Sequence, residues 1–177
     1  MQVENVNFLQ QATFNCTFGR LPHIKYFMQH FKMPGMQLPT VRQATPFKNI
    51  PRAGDHMTFE NLSIEFKVDE DLRNYFEVAC WLHQLGFPRN YAQYRKLDNE
   101  QVDKSKYGEC TVTTFTNSRN ANLDITFSGL VPTSLSGFNF ETTTSNVNYV
   151  SAVVTFEFEN MAVLRRDNTG TSDQIML

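Results

Sequence analysis

The sequence predicts a mainly β protein with one inserted helix, folded as an antiparallel β-sandwich or open barrel. Three observations lead there. Short segments in which apolar and polar residues alternate recur along the chain, and alternation is the mark of a half-buried strand. A single stretch instead spaces its apolar residues three and four apart, as an amphipathic helix does. The chain of 177 residues is 41% hydrophobic and 13% aromatic, with 16 Phe against one Trp, which is enough apolar surface for one core.

Residues 1–13 are polar, lack an apolar period and read as an N-terminal arm. Phe14, Cys16 and Phe18 alternate with Asn15 and Thr17 and predict the first strand. After the Gly19–Pro22 turn, Ile24 to Phe31 reads as a second strand, though its alternation is poor. Met33-Pro34-Gly35-Met36 breaks it. The stretch on to Gly54 carries Pro39, Pro46 and Pro51, so it predicts an edge strand or a long excursion, either an arm towards a neighbouring subunit or a surface loop. Leu62, Ile64, Phe66 and Val68 then alternate with polar partners. Asp69-Glu70-Asp71 follows, and Leu72, Tyr75, Phe76, Ala79, Cys80 and Leu82 carry the helical spacing. That predicts a helix over 69–85, with Asp69 as N-cap, acids at its positive end, Gly86 and Pro88 as its stop, and Leu72, Phe76 and Ala79 facing the sheet.

Residues 89–109 read as a polar connection. Three β segments close the chain: Cys110 to Phe115, then Leu123-Ile125-Phe127 after a hairpin loop over 117–122, then Tyr149 to Phe158 with Val150, Ala152, Val154, Phe156 and Phe158 on one face. Between the last two, 129–134 and 142–145 look irregular. The tail over 165–177 has turn residues and no period, so order there is expected only from a partner. The expected division is an arm over 1–13, one β domain over 14–164 and a tail over 165–177.

Charged residues make up 19% and the net charge is −2, so no global charge speaks for nucleic-acid binding. No stretch approaches the roughly 18 apolar residues of a membrane helix, and no membrane partner is expected. Met1–Asn5 has neither the basic nor the apolar region of a secretory signal, which predicts a start in a cytoplasm. Cys16, Cys80 and Cys110 are odd in number and far apart in sequence; buried free thiols fit them better than disulfides or zinc.

The residues offer no catalytic constellation. His23, His30, His56 and His83 share no metal-ligand spacing, and the adjacent Asp55-His56 pair reads as a turn after Gly54. Ser134, Ser136 and Gly137 lack the leading glycine of a nucleophile elbow, and neither a P-loop nor a dinucleotide fingerprint occurs. Asp69-Glu70-Asp71 is explained by the helix end, and Trp81 reads as a core or interface anchor. Arg89, Arg95, Lys96, Lys104 and Lys106 are mixed with Asp98, Glu100, Asp103 and Glu109, a solvated or interfacial loop. No catalytic, cofactor or metal residue is expected.

Several segments together resemble a known family. Met33-Pro34-Gly35, Pro51-Arg52-Ala53-Gly54-Asp55, Val68-Asp69-Glu70-Asp71-Leu72, the Trp81 helix with Leu85-Gly86-Phe87-Pro88, and Leu130-Val131-Pro132-Thr133-Ser134-Leu135-Ser136-Gly137 look like tube-type tail proteins of T-even-like contractile-tailed phages. The resemblance spans roughly residues 14–160. It implies a tail-tube-like subunit that assembles with copies of itself into six-fold rings, in a virion tail assembled in the host cytoplasm. Asp69 to Leu85 is most similar to the tail-completion, or tube-terminator, proteins. The other partners it implies are tube, sheath, neck or baseplate proteins, with DNA passing through without specific binding. A baseplate tube-initiating role is an alternative. So, from another class, is a host-binding β-sandwich module of a tail fibre, which exposed Tyr91, Tyr94 and Tyr107 would favour.

Overall fold

In the computed structural model, residues 8–9, 14–88, 106–142, 148–166 and 172–175 are described. In chain order these form β1 (Phe14–Phe18), α1 (Ile24–Phe27), β2 (Met28–Lys32), β3 (Met36–Gln37), β4 (Thr40–Ala44), β5 (Asn49–Ala53) and β6 (Thr58–Phe59). They continue with β7 (Leu62–Lys67), α2 (Arg73–Gly86), β8 (Gly108–Phe115), β9 (Ala121–Leu135), β10 (Ser151–Glu157), β11 (Asn160–Arg166) and β12 (Ser172–Ile175). The main sheet is antiparallel in the order β1-β8-β9-β10-β7-β2, with β11 and β12 branching from β9. The expected mainly β, antiparallel architecture is therefore present, with an additional helical turn.

Wherever alternation is clean, register follows from it. In β7 and β10, Ile64 faces Val154 and Leu62 faces Phe156. In β1, β8, β9 and β11, Phe18, Cys110, Phe127 and Met161 stand side by side. These two sets of inward side chains are all buried and form one core. The ends of the sheet, β1 and β2, are not paired to each other, but Phe14 meets Phe31 across the gap at 6.3 Å between ring centroids. The result is an open barrel with a seam. A groove of about 980 Å³ lies along that seam, lined by Phe14, Cys16, Met28, His30, Phe31 and Ile125 among others.

One long strand, β9, and the consecutive strands β10 and β11 carry the sheet around its corner. β9 pairs with β8 and β11 over its first part and with β10 over its end. β10 and β11 follow one another along the same edge of β9, with Glu157 opposite Val131 and Asn160 opposite Ser128. Between these pairs Gly129 adopts a φ of 69°, and the Glu159 N–H donates to the Ser128 carbonyl at 3.0 Å. The stretch 129–134, which looked irregular in sequence, is thus the continuation of β9. Gly129 is not a break there; it supplies the left-handed residue of a bulge.

Four other expectations change. Residues 24–27 form a helical turn before β2, because Ile24 and Met28, four apart, both turn to the core while Tyr26 stays exposed. The helix begins at Arg73, not at 69, and Asp69 is not its cap. Asn74, fully buried, accepts the Asp69 N–H at 3.1 Å and donates to the Lys67 carbonyl at 2.8 Å, fixing the bend before the helix. Leu72 sits at the cap position with a φ of 59°, and no acid lies in the first turn. The buried helix face is Asn74, Val78 and Trp81, whereas Phe76, expected inside, is 55% exposed. Finally, the C-terminal stretch holds strand structure within the chain itself, since β12 pairs with the end of β11 from Arg166–Ser172 to Val163–Ile175.

Candidate assembly surface

The proline-rich excursion is a projecting arm built as two short ladders. The first pairs β3 with β6, Met36 opposite Phe59, and the Glu60 N–H donates to the Gly35 carbonyl at 2.8 Å. The second pairs β4 with β5, from Thr40–Ala53 out to Ala44–Asn49. Between them the Gly54 N–H donates to the Pro39 carbonyl at 2.8 Å, and a Cβ on Gly54 would come within 2.4 Å of that oxygen, so only glycine fits. At the tip, Pro46 follows Thr45 with its fixed φ suited to a turn. The Thr45 N–H donates to the Lys48 carbonyl at 3.1 Å, and the Lys48 N–H donates to Thr45 Oγ1 at 3.2 Å.

Neither ladder joins the main sheet. All of β4 is exposed, and Leu38, Val41 and Met57 are exposed apolar residues along the arm. Phe47 at the tip is 98% exposed. Charge sets the arm apart as well. The arm from Met36 to Phe59 contains Arg42, Lys48 and Arg52 against a single acid, Asp55, leaving 13 basic and 17 acidic residues elsewhere in the chain. A basic, apolar-tipped hairpin therefore projects from an acidic body.

Between α2 and the turn after β1 lies an open cleft of about 490 Å³ lined by Arg20, His23, Phe76, Glu77, Trp81 and neighbours. Trp81 is the anchor the sequence suggested: it is buried, meets Phe156 at a tilt with 6.0 Å between ring centroids, donates from Nε1 to the Lys106 carbonyl at 3.2 Å, and lies under the Arg20 guanidinium at 4.7 Å. Gly108 makes room for it, since a Cβ there would meet the indole at 2.7 Å.

The remaining candidates stay apart. His23 pairs with Glu77, His30 lies on β2, His56 lies within the arm between β5 and β6, and His83 lies on α2. Among the described residues no three His, Cys, Asp or Glu side chains form a metal-binding group. Ser136 accepts the Val153 N–H at 2.8 Å and so closes the end of β9 against β10. Tyr107 is half exposed, whereas Tyr91, Tyr94, Arg89, Arg95, Lys96 and Lys104 lie outside the described residues. Cys80 is exposed, against expectation, because the helix phase turns it outward. Cys16 and Cys110 are buried, yet far from separate: their Sγ atoms are 3.2 Å apart. The hydrogen bond to Cys16, with burial, pushes the Cys110 thiol pKa well above its ordinary range.

No protein-family model and no curated protein sequence matches the chain. Among solved structures, it is similar to a chain in the tube-terminating cap of the anti-feeding prophage, with a TM-score of 0.57 and 12% identity over 94% of this chain and 97% of that one. The same TM-score and identity relate it to a chain in the sheath–tube complex of an extracellular contractile injection system, PVC, over 91% and 94% of the two chains. A chain in the six-fold symmetrised anti-feeding prophage baseplate is similar at a TM-score of 0.54 and 11% identity, over 93% and 97%. Identities this low speak to fold alone, and nearly full coverage in both directions leaves no large element unmatched. The chain has a tail-tube-type β fold, the fold of tube, cap and baseplate proteins in contractile injection systems.

Proposed function

We propose that the protein is a structural subunit of a contractile bacteriophage tail, a tail-completion (tube-terminator) protein or a tube subunit, that closes into a six-fold ring with copies of itself. The observation that carries this reading is the basic, apolar-tipped arm on a body of tail-tube fold. A ring needs two different surfaces on each subunit, one to reach and one to receive. An arm that leaves exposed Phe47, Val41 and Leu38 without intramolecular cover is suited to reach. The likeness to a tube-terminating cap and to a sheath–tube complex over nearly the whole chain supports tube, sheath and neck proteins as further partners.

In this reading DNA passes through the ring without specific binding, because a net charge of −2 gives phosphates no attractive wall. Residues 14–164 build the ring, 1–13 and 165–177 serve as its arm and tail, and no residue has a catalytic, cofactor or metal role. The subunit assembles in the host cytoplasm and ends in the virion tail. The likeness to a baseplate chain favours a second reading, a protein that begins the tube at the baseplate.

Electron microscopy of the purified protein tests the proposal: six-fold rings are expected. Trimers would favour a fibre module instead, and a monomer at high concentration, unable to join purified tubes, would overturn it. Binding to the distal or the proximal end of a tube separates terminator from initiator.

A further inference from the structure

Cys16 and Cys110 occupy diagonal positions on neighbouring strands, Cys16 opposite Val112 and Cys110 opposite Phe18. Both point to the core, and their Sγ atoms lie 3.2 Å apart. A disulfide needs about 2.05 Å, so the sulfurs must approach by little more than ~1 Å to form one. Cys16, itself 2% exposed, borders the seam groove between β1 and β2, the side from which a small oxidant would approach it. Cys110 sits behind it, fully buried.

We infer that this pair is a built-in crosslinking site, at which a peroxide joins Cys16 to Cys110 and pins the edge strand β1 to β8. The chemistry balances in two steps. The Cys16 thiol reacts with peroxide to give a sulfenic acid and one water. The Cys110 sulfur then attacks the Cys16 sulfur, the hydroxyl leaves with the Cys110 proton as a second water, and the disulfide forms. Peroxide is reduced and the two thiols are oxidised. Cys110 is the resolving thiol by position: it is fully buried and its sulfur is 3.2 Å from that of Cys16.

The crosslink joins residues 94 positions apart, a long loop whose closure restricts the unfolded chain strongly. In a reducing cytoplasm the pair stays as thiols; outside it, the first strand becomes covalently fastened. Nothing in this chemistry depends on which ring the protein builds, since it is intramolecular.

The test uses the full chain with Cys80→Ser, which removes the exposed competitor, treated with hydrogen peroxide under native conditions. Both remaining thiols should disappear together and the mass should fall by two hydrogens. Non-reducing peptide maps should join the Cys16 and Cys110 peptides, and Tm should rise by on the order of 10 °C, reversed by dithiothreitol. Adding Cys110→Ser should instead leave a Cys16 sulfenic acid that a dimedone probe captures. Two thiols that still titrate, oxygens added without a link, or a link formed only in denaturant would each overturn the inference.

Discussion

At the residue scale, the helix is where polar chemistry overrides apolar counting. Asn74 is fully buried because its amide serves two backbone groups, the Asp69 N–H and the Lys67 carbonyl, and a buried amide is tolerated only when satisfied. That clasp sets the phase of α2. Once Asn74 faces inward, Val78 and Trp81 follow it, and Phe76 must turn out. The period was legible in the sequence; the phase was not, because an asparagine gives no apolar signal. Trp81→Ala should therefore cost about 3–5 kcal/mol, and Phe76→Ala under about 1 kcal/mol, when both are unfolded in denaturant. Equal losses would return Phe76 to the core. A pH effect follows from Cys110, whose folded pKa is raised. Above about pH 8.5 the unfolded thiol gives up its proton while the folded one keeps it. Stability contributed by this group is thus complete below that pH and falls as pH rises. Unfolding curves between pH 7 and 10 should fall less steeply for Cys110→Ala than for the parent.

At the scale of elements, clean alternation in β1, β7 and β10, and the Thr and Val content of β8, made those strands legible to within a few residues. Where punctuation residues intervene, the reading failed. Gly129 and Pro132 suggest an end to β9, yet the strand continues for 15 residues because a bulge needs the glycine's positive φ. The arm was legible as an excursion but not as a double ladder, since β4 and β5 have no buried face to impose a pattern. Its charge did carry a signal, the run of residues 33–54 without an acid. Because residues 37–50 contribute nothing to the core, removing them should leave a folded domain by circular dichroism that no longer forms rings in sedimentation or microscopy. Rings that persist would move the interface elsewhere. An unfolded product would place the arm in the folding unit.

At the scale of the whole molecule, the charge division between arm and body sets how copies would meet. An arm bearing Arg42, Lys48 and Arg52 finds its complement on the acid-rich remainder of a second copy, and such contacts guide association more than they tighten it. Arg42→Glu with Arg52→Glu should slow ring formation at low salt by about tenfold or more while leaving Tm unchanged. Raising salt to 1 M, where the Debye length is about 3 Å, should slow the parent towards the variant's rate. A parent rate that salt does not alter would mean that the apolar tip, and not its charge, guides assembly.

The shared bend of β9 and β10–β11 has a mechanical consequence. Sheets that merely stack can slide when pulled, since only side-chain contact resists shear. Here two covalent backbones cross from one side of the barrel to the other at the same level, marked by Gly129 and Glu159. Tension on either side is passed on through peptide bonds and spread over the ladders on both sides of the crossing. The seam between β1 and β2, held by side chains such as Phe14 and Phe31, is then the line along which the subunit yields first under load.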